Sequence, residues 1–162
     1  MHKKISTVLA LALLPLSTQL FAANPNHTEI TYNTRNATAA PIVLTQPSPA
    51  QRDSGLALST FTIPPQNTLD TYATYNLGFL SMSRSKPSVV TETFTYASGT
   101  KACTFSTTIS VKKTWGVFSP SYEATRTASA VSTGTQLATC QARVSAQMGS
   151  LPFNYTVNLT IK

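Results

Sequence analysis

The chain has 162 residues, of which 41% are hydrophobic, 10% charged and 9% aromatic, with 12 Lys+Arg against 5 Asp+Glu and two cysteines. That length suits one domain with a buried core, and the apolar fraction argues against a disordered chain. Two cysteines exclude iron–sulfur sites, zinc ribbons and disulfide-dense scaffolds, and with two histidines most acid–base enzyme designs lack parts.

Met1-His2-Lys3-Lys4 precedes an apolar run over residues 5–16, and the stretch closes on Phe21-Ala22-Ala23. A basic tip, a short apolar run and small residues at the end make the pattern of a secretory signal peptide. The run falls short of the roughly 20 residues that a membrane-spanning helix needs. Residues 1–22 are therefore expected to be removed, leaving residues 23–162 as one exported domain, periplasmic or extracellular. No second apolar stretch follows, so no transmembrane segment is expected.

The mature chain keeps ten basic and five acidic side chains and a single histidine, His27, placed in a lead over residues 23–27. The positive charges are scattered, with only Lys112 and Lys113 adjacent. Nucleic-acid binders concentrate their charge in a patch or stripe, so a nucleic-acid partner is not expected. An anionic glycan or envelope surface fits the excess better.

Serine and threonine make up 41 of the 140 mature residues. Threonine is β-branched and suits a half-wetted strand. The decisive signal is a period of two. In residues 102–111, Cys103, Phe105, Thr107, Ile109 and Val111 fall on one face and hydroxyl residues on the other. Residues 153–162 alternate in the same way, with Phe153, Tyr155, Val157, Leu159 and Ile161 on one side. Weaker alternation marks residues 29–32, 41–45, 58–63, 69–77, 89–96, 122–131 and 137–144, separated by turn signals such as Pro64-Pro65 and Ser98-Gly99. One-sided burial goes with antiparallel sheets. The expected fold is all-β, a single antiparallel β-sandwich, Ig-like or jelly-roll-like, of about 8–9 strands.

Cys103 and Cys140 both fall on apolar faces, and in an oxidising compartment they are expected to form a disulfide. No Cys-x-x-Cys pair suggests a redox role. Catalysis finds little to work with: there is no Gly-x-Ser-x-Gly elbow and no His/Asp/Glu cluster for a metal or cofactor. Glu92 shares a face with Val90, Phe94 and Tyr96, and a strand edge or bulge is expected to turn it to water. The expectation is a protein that is not an enzyme; a glycan-directed hydrolase using Glu92 or Glu123 is the third reading.

A binding surface has better candidates. Residues 112–122 hold Lys112, Lys113, Trp115, Phe118 and Tyr122, including the single tryptophan and the single lysine pair. Aromatic faces beside cations suit sugars, anionic glycans or a protein hot spot. The same aromatics also suit closing one end of the core. A second cluster, Tyr72, Tyr75, Phe79, Leu80 and Met82 followed by Arg84 and Lys86, reads as a core strand and its exit. Asn26, Asn36, Asn154 and Asn158 head glycosylation sequons that threonine abundance produces by chance, and the leader looks bacterial, so no use of them is expected.

Residues 149–162 resemble the end of chaperone–usher pilus subunits, where a glycine 14 residues from the end precedes an alternating apolar strand. Gly149 takes that place here, although Ile161 stands where the family usually has tyrosine. Cys103 and Cys140 lie in the second half of the domain rather than the first, and no apolar donor strand precedes Ile30. The resemblance implies a fimbria-like assembly subunit, and so an oligomer, with 149–162 as an exposed edge. The leading expectation remains an exported binding protein whose partner is a protein, glycan or envelope surface. When the chain is expressed with its leader, N-terminal sequencing of the exported product is expected to begin at Ala23; retention of Met1 would remove the signal-peptide reading.

Overall fold

The computed structural model describes residues 27–78, 82–115 and 120–162, so the leader and Phe118, Phe79 and Leu80 lie outside the described residues. Among the described residues are eight strands: β1 His27–Asn36, β2 Val43–Gln46, β3 Thr68–Asn76, β4 Ser88–Ser98, β5 Lys101–Trp115, β6 Pro120–Ser132, β7 Cys140–Gln147 and β8 Tyr155–Ile161. They form two four-stranded sheets, ordered β3-β1-β8-β7 and β2-β4-β5-β6, in a sandwich-like arrangement. His27, expected in the lead, instead opens β1 opposite Asn76.

The core comes from the alternation. On β5, Cys103, Phe105, Thr107, Ile109 and Val111 are all buried, and β8 contributes Tyr155, Val157, Leu159 and Ile161 from the other sheet. The rings of Tyr32 on β1 and Phe94 on β4 meet edge to face across the interior, 5.3 Å apart. The outer face of the second sheet explains the threonine content. Thr91 and Thr108, Thr93 and Ser106, and Thr95 and Thr104 stand opposite one another on β4 and β5, their hydroxyls bonded at 2.9, 3.2 and 2.8 Å. Such cross-strand pairs stabilise a sheet by a few tenths of a kcal/mol each, up to about 1.

Four expectations need correction. β1 and β8 run parallel, so the sheets are not wholly antiparallel. Alternation reports that one face is wet; it is silent on which way a neighbouring strand runs. Second, β8 is enclosed between β1 and β7, so 149–162 is not an exposed edge awaiting another chain. Third, residues 58–63 do not form a strand. Leu58–Phe61 is a single 3-10 turn that drops Phe61 into the core, and Ile63 keeps one isolated bridge to Ile42. Just before it, a one-turn helix α1 (Pro49–Asp53) starts on a capping box, with Ser48 and Gln51 bonding each other's backbone and Pro49 in the first turn. Fourth, Glu92 is not turned to water; it is 1% exposed, between the sheets.

The sequon residue Asn36 is fully buried, donating to the Ala40 and Ile63 carbonyls while accepting from Thr38, which ties the end of β1 to the corner beyond it. Cys103 and Cys140 are bridged, with Cα atoms 5.7 Å apart, joining β5 to β7 across the two sheets. The β6–β7 connection packs tightly against the β4–β5 turn: a Cβ at Gly134 would collide with the Thr100 carbonyl oxygen and the Ala102 amide nitrogen. The disulfide closes a separation of 37 residues. Replacing both cysteines, Cys103→Ala with Cys140→Ala, is expected to lower unfolding free energy by about 2–4 kcal/mol in denaturant titrations. An unchanged midpoint would show that the bridge constrains little.

Candidate functional site

The β5–β6 ladder outruns its neighbour. Ser88, the first residue of β4, pairs with Val111, whereas β5 continues against β6 to the Trp115–Pro120 pair. Residues 112–115 and 120–123 therefore form a two-stranded ribbon past the end of the core. With no third strand among the described residues to cover it, Trp115 is 76% exposed. It does not close the core.

Residue types follow this change of surroundings. Val111 is the last fully buried residue of β5. Beyond it, Lys112 forms an ion pair with its ladder partner Glu123 at 2.8 Å, and the Lys113 ammonium lies 6.0 Å from the ring centre of its partner Tyr122. Both members of the ion pair are 60% exposed, so it positions the chains more than it stabilises them. Tyr122 is half-buried, packed against the core cluster. Arg84 arrives from the β3–β4 connection and lays its guanidinium 3.3 Å from the centre of the Trp115 ring. A stacked guanidinium keeps its edge donors free for carboxylate, sulfate or phosphate oxygens. Arg84, Lys112, Tyr122 and Glu123 line an open groove of about 570 Å³ at this end.

The candidate set is thus partly assembled. Trp115 and Lys112 are exposed on the ribbon, Lys113 is half-buried beside Tyr122, and Tyr122 anchors the ribbon to the core. Sequence reasoning placed Arg84 in a different cluster, and only the folded chain brings it onto Trp115. Of that second cluster, Met82 is buried, Tyr72 is exposed and Tyr75 points into the interior.

The interior holds the other chemistry. Tyr75 donates its hydroxyl to Glu92 Oε1, while Oε2 has no partner among the described residues. Thr107, the ladder partner of Glu92, shares a hydrogen bond of 3.0 Å with the Tyr32 hydroxyl, and the Tyr155 hydroxyl is buried close to the same side chain. Arg126 caps this region. It donates to the Met148 and Phe153 carbonyls at 2.6 and 3.1 Å and lies over the Phe153 and Tyr155 rings; burial pulls its guanidinium below the usual arginine range. Glu92 is sealed between sheets and Glu123 is ion-paired on the ribbon, so the two carboxyls do not share a cleft. Among the described residues, no three of His, Cys, Asp and Glu are grouped to hold a metal.

Comparison with known protein families, curated proteins and solved structures returned no match.

Burial raises the hydroxyls of Tyr32, Tyr75 and Tyr96 well above the ordinary tyrosine range, and Tyr75 is raised further by its bond to Glu92. Burial also pushes Tyr155 up to about 12. The folded chain therefore holds protons that the unfolded chain releases near pH 10. This contribution to stability is whole below about pH 10 and is lost as pH rises towards and past 12. In a spectrophotometric titration, these four rings are expected to ionise together with loss of the β circular-dichroism signal. Their ionisation near pH 10 with the fold intact would contradict the buried placement.

Proposed function

We propose that residues 23–162 form an exported, non-catalytic β-sandwich that binds a polyanionic surface through the ribbon of residues 112–115 and 120–123. Its shared chemistry is a repeating carboxylate or phosphate, presented by an acidic glycan or by lipid headgroups. The observation that carries the reading is the Arg84 guanidinium stacked on the exposed Trp115 ring, with Lys112 and Lys113 on the same ribbon. A planar cation on an aromatic platform offers hydrogen-bond donors and an apolar ring face together. The Cys103–Cys140 disulfide is compatible with export, and no helix among the described residues is long and apolar enough to cross a membrane.

Within the sandwich, β4, β5 and β6 form an antiparallel meander in one sheet, and β1 and β8, the first and last of the eight strands, pair in parallel in the other. The reading as a catalyst is not adopted, because the ribbon carries cations and an aromatic ring but its one acid, Glu123, is held by Lys112.

The test uses the mature chain with polygalacturonate in one arm and phosphatidylglycerol vesicles in the other. Binding in either arm is expected to weaken with added salt and to fall roughly tenfold in Trp115→Ala and in Arg84→Ala, with thermal unfolding little changed. The arm that responds identifies the source of the anion. Undiminished binding by both variants would remove the ribbon as the site, and unfolding of Trp115→Ala would return that ring to a structural role.

A further inference from the structure

Apart from the ribbon, the four sheet edges are not equally protected. β2 has four residues and a register shift after Leu44. β6 and β7 lie alongside one another, with Arg126 of β6 reaching Gln147 and Met148, and β7 is further held to β5 by the disulfide. Among the described residues β3 pairs only with β1, α1 approaches it without pairing, and its nine residues, Thr-Leu-Asp-Thr-Tyr-Ala-Thr-Tyr-Asn, include none of the lysines, prolines or bulges that blunt an exposed edge.

Beside that edge is a built trough. Between β3 and the opposite wall of residues 48–61 lies a hollow of about 390 Å³, floored by Tyr32, Phe61, Leu69 and Ala73. A second hollow of about 430 Å³ continues along β3 past Asp53 and Asn76. Ala50, Ser54, Tyr72 and Ala73 border both, so the two are contiguous along the strand. Each falls in the size range of ligand sites. Tyr72, 77% exposed, and Leu56, 54% exposed, stand on the rim.

The charge is also distinctive. In a chain with five acids and an excess of positive charge, the carboxylates of the trough are Asp70 and Asp53, and no lysine or arginine lines either hollow. Asp70 is held in place by the Asn33 amide, which donates to it at 2.6 Å.

We propose that the free edge of β3 binds an extended peptide segment of another protein, one that alternates apolar residues with polar ones and carries a basic residue. Its backbone continues the β3-β1-β8-β7 sheet, one apolar side chain enters the Tyr32–Phe61–Leu69 hollow, and its cation meets Asp70. A second copy of this chain is a poorer occupant. In symmetric β3–β3 pairing the partner strand would offer Asp70 no lysine or arginine, since β3 carries neither.

A synthetic heptapeptide alternating leucine with threonine and ending in lysine is the probe, with the same peptide ending in glutamate as control. The lysine peptide is expected to bind the mature chain in fluorescence anisotropy and to slow amide exchange over Thr68–Asn76. Asp70→Lys should weaken it about tenfold and reverse the preference towards the glutamate peptide, while Leu56→Arg should weaken both peptides. Both sites are exposed, so the variants keep the fold, which circular dichroism checks. Equal affinity for the two peptides, protection elsewhere in the chain, or self-association through β3 in sedimentation would each overturn the proposal. The ribbon is untouched by these variants, so polyanion binding and peptide binding fail independently.

Discussion

The closure of one apolar face of β5 against the opposite sheet is the contact on which the rest of the molecule depends. Cys103, Phe105, Thr107, Ile109 and Val111 present an unbroken dry face, and the same strand is laddered on both edges, to β4 and to β6. A strand buried on one face and paired on two edges has no freedom left to slip, because a shift of one residue would exchange the whole apolar set for hydroxyls. The disulfide leaves from this strand, and so does the ribbon, which exists because β5 and β6 are longer than β4.

The interior is less uniformly apolar than the alternation suggests. Three ties between distant parts of the chain are polar or covalent: Tyr75 to Glu92, Arg126 to the carbonyls before β8, and Cys103 to Cys140. A buried carboxyl with one oxygen unpartnered costs on the order of 1–3 kcal/mol compared with a fully satisfied one. Its position is held because Glu92 shares a ladder rung with Thr107, whose own side chain is held by Tyr32. A polar network of this kind ties the packing of the two sheets to one arrangement.

The two candidate surfaces arise from a common cause, the unequal length and pairing of strands. Where β5 and β6 outrun β4, an aromatic ring is left uncovered and a guanidinium settles on it. Where β3 has no second neighbour, the excursion through α1 and the 3-10 turn stands beside the sheet edge without pairing to it, and a trough remains. One surface is cationic and the other carries acids, so they select different partners.

Much of the architecture was legible in the chain because a period of two is a local property. The strand over 102–111, the alternation that became β8 and the inward cysteines each need only neighbouring residues to be read, and so does the capping box at Ser48 and Gln51, which is masked by the stronger turn signals around it. Glu92 was placed on the correct face, but expected in water, since its phenolic partner on β3 is invisible at the level of a single strand. Pairing direction, the enclosure of β8 and the arrival of Arg84 on Trp115 involve residues far apart in the chain, and no local pattern encodes which edges meet. Composition and alternation by themselves determined that this chain makes half-buried strands around a dry core. Only the tertiary structure decided which aromatic stayed outside and which edge stayed free, because both depend on where one strand ends relative to another.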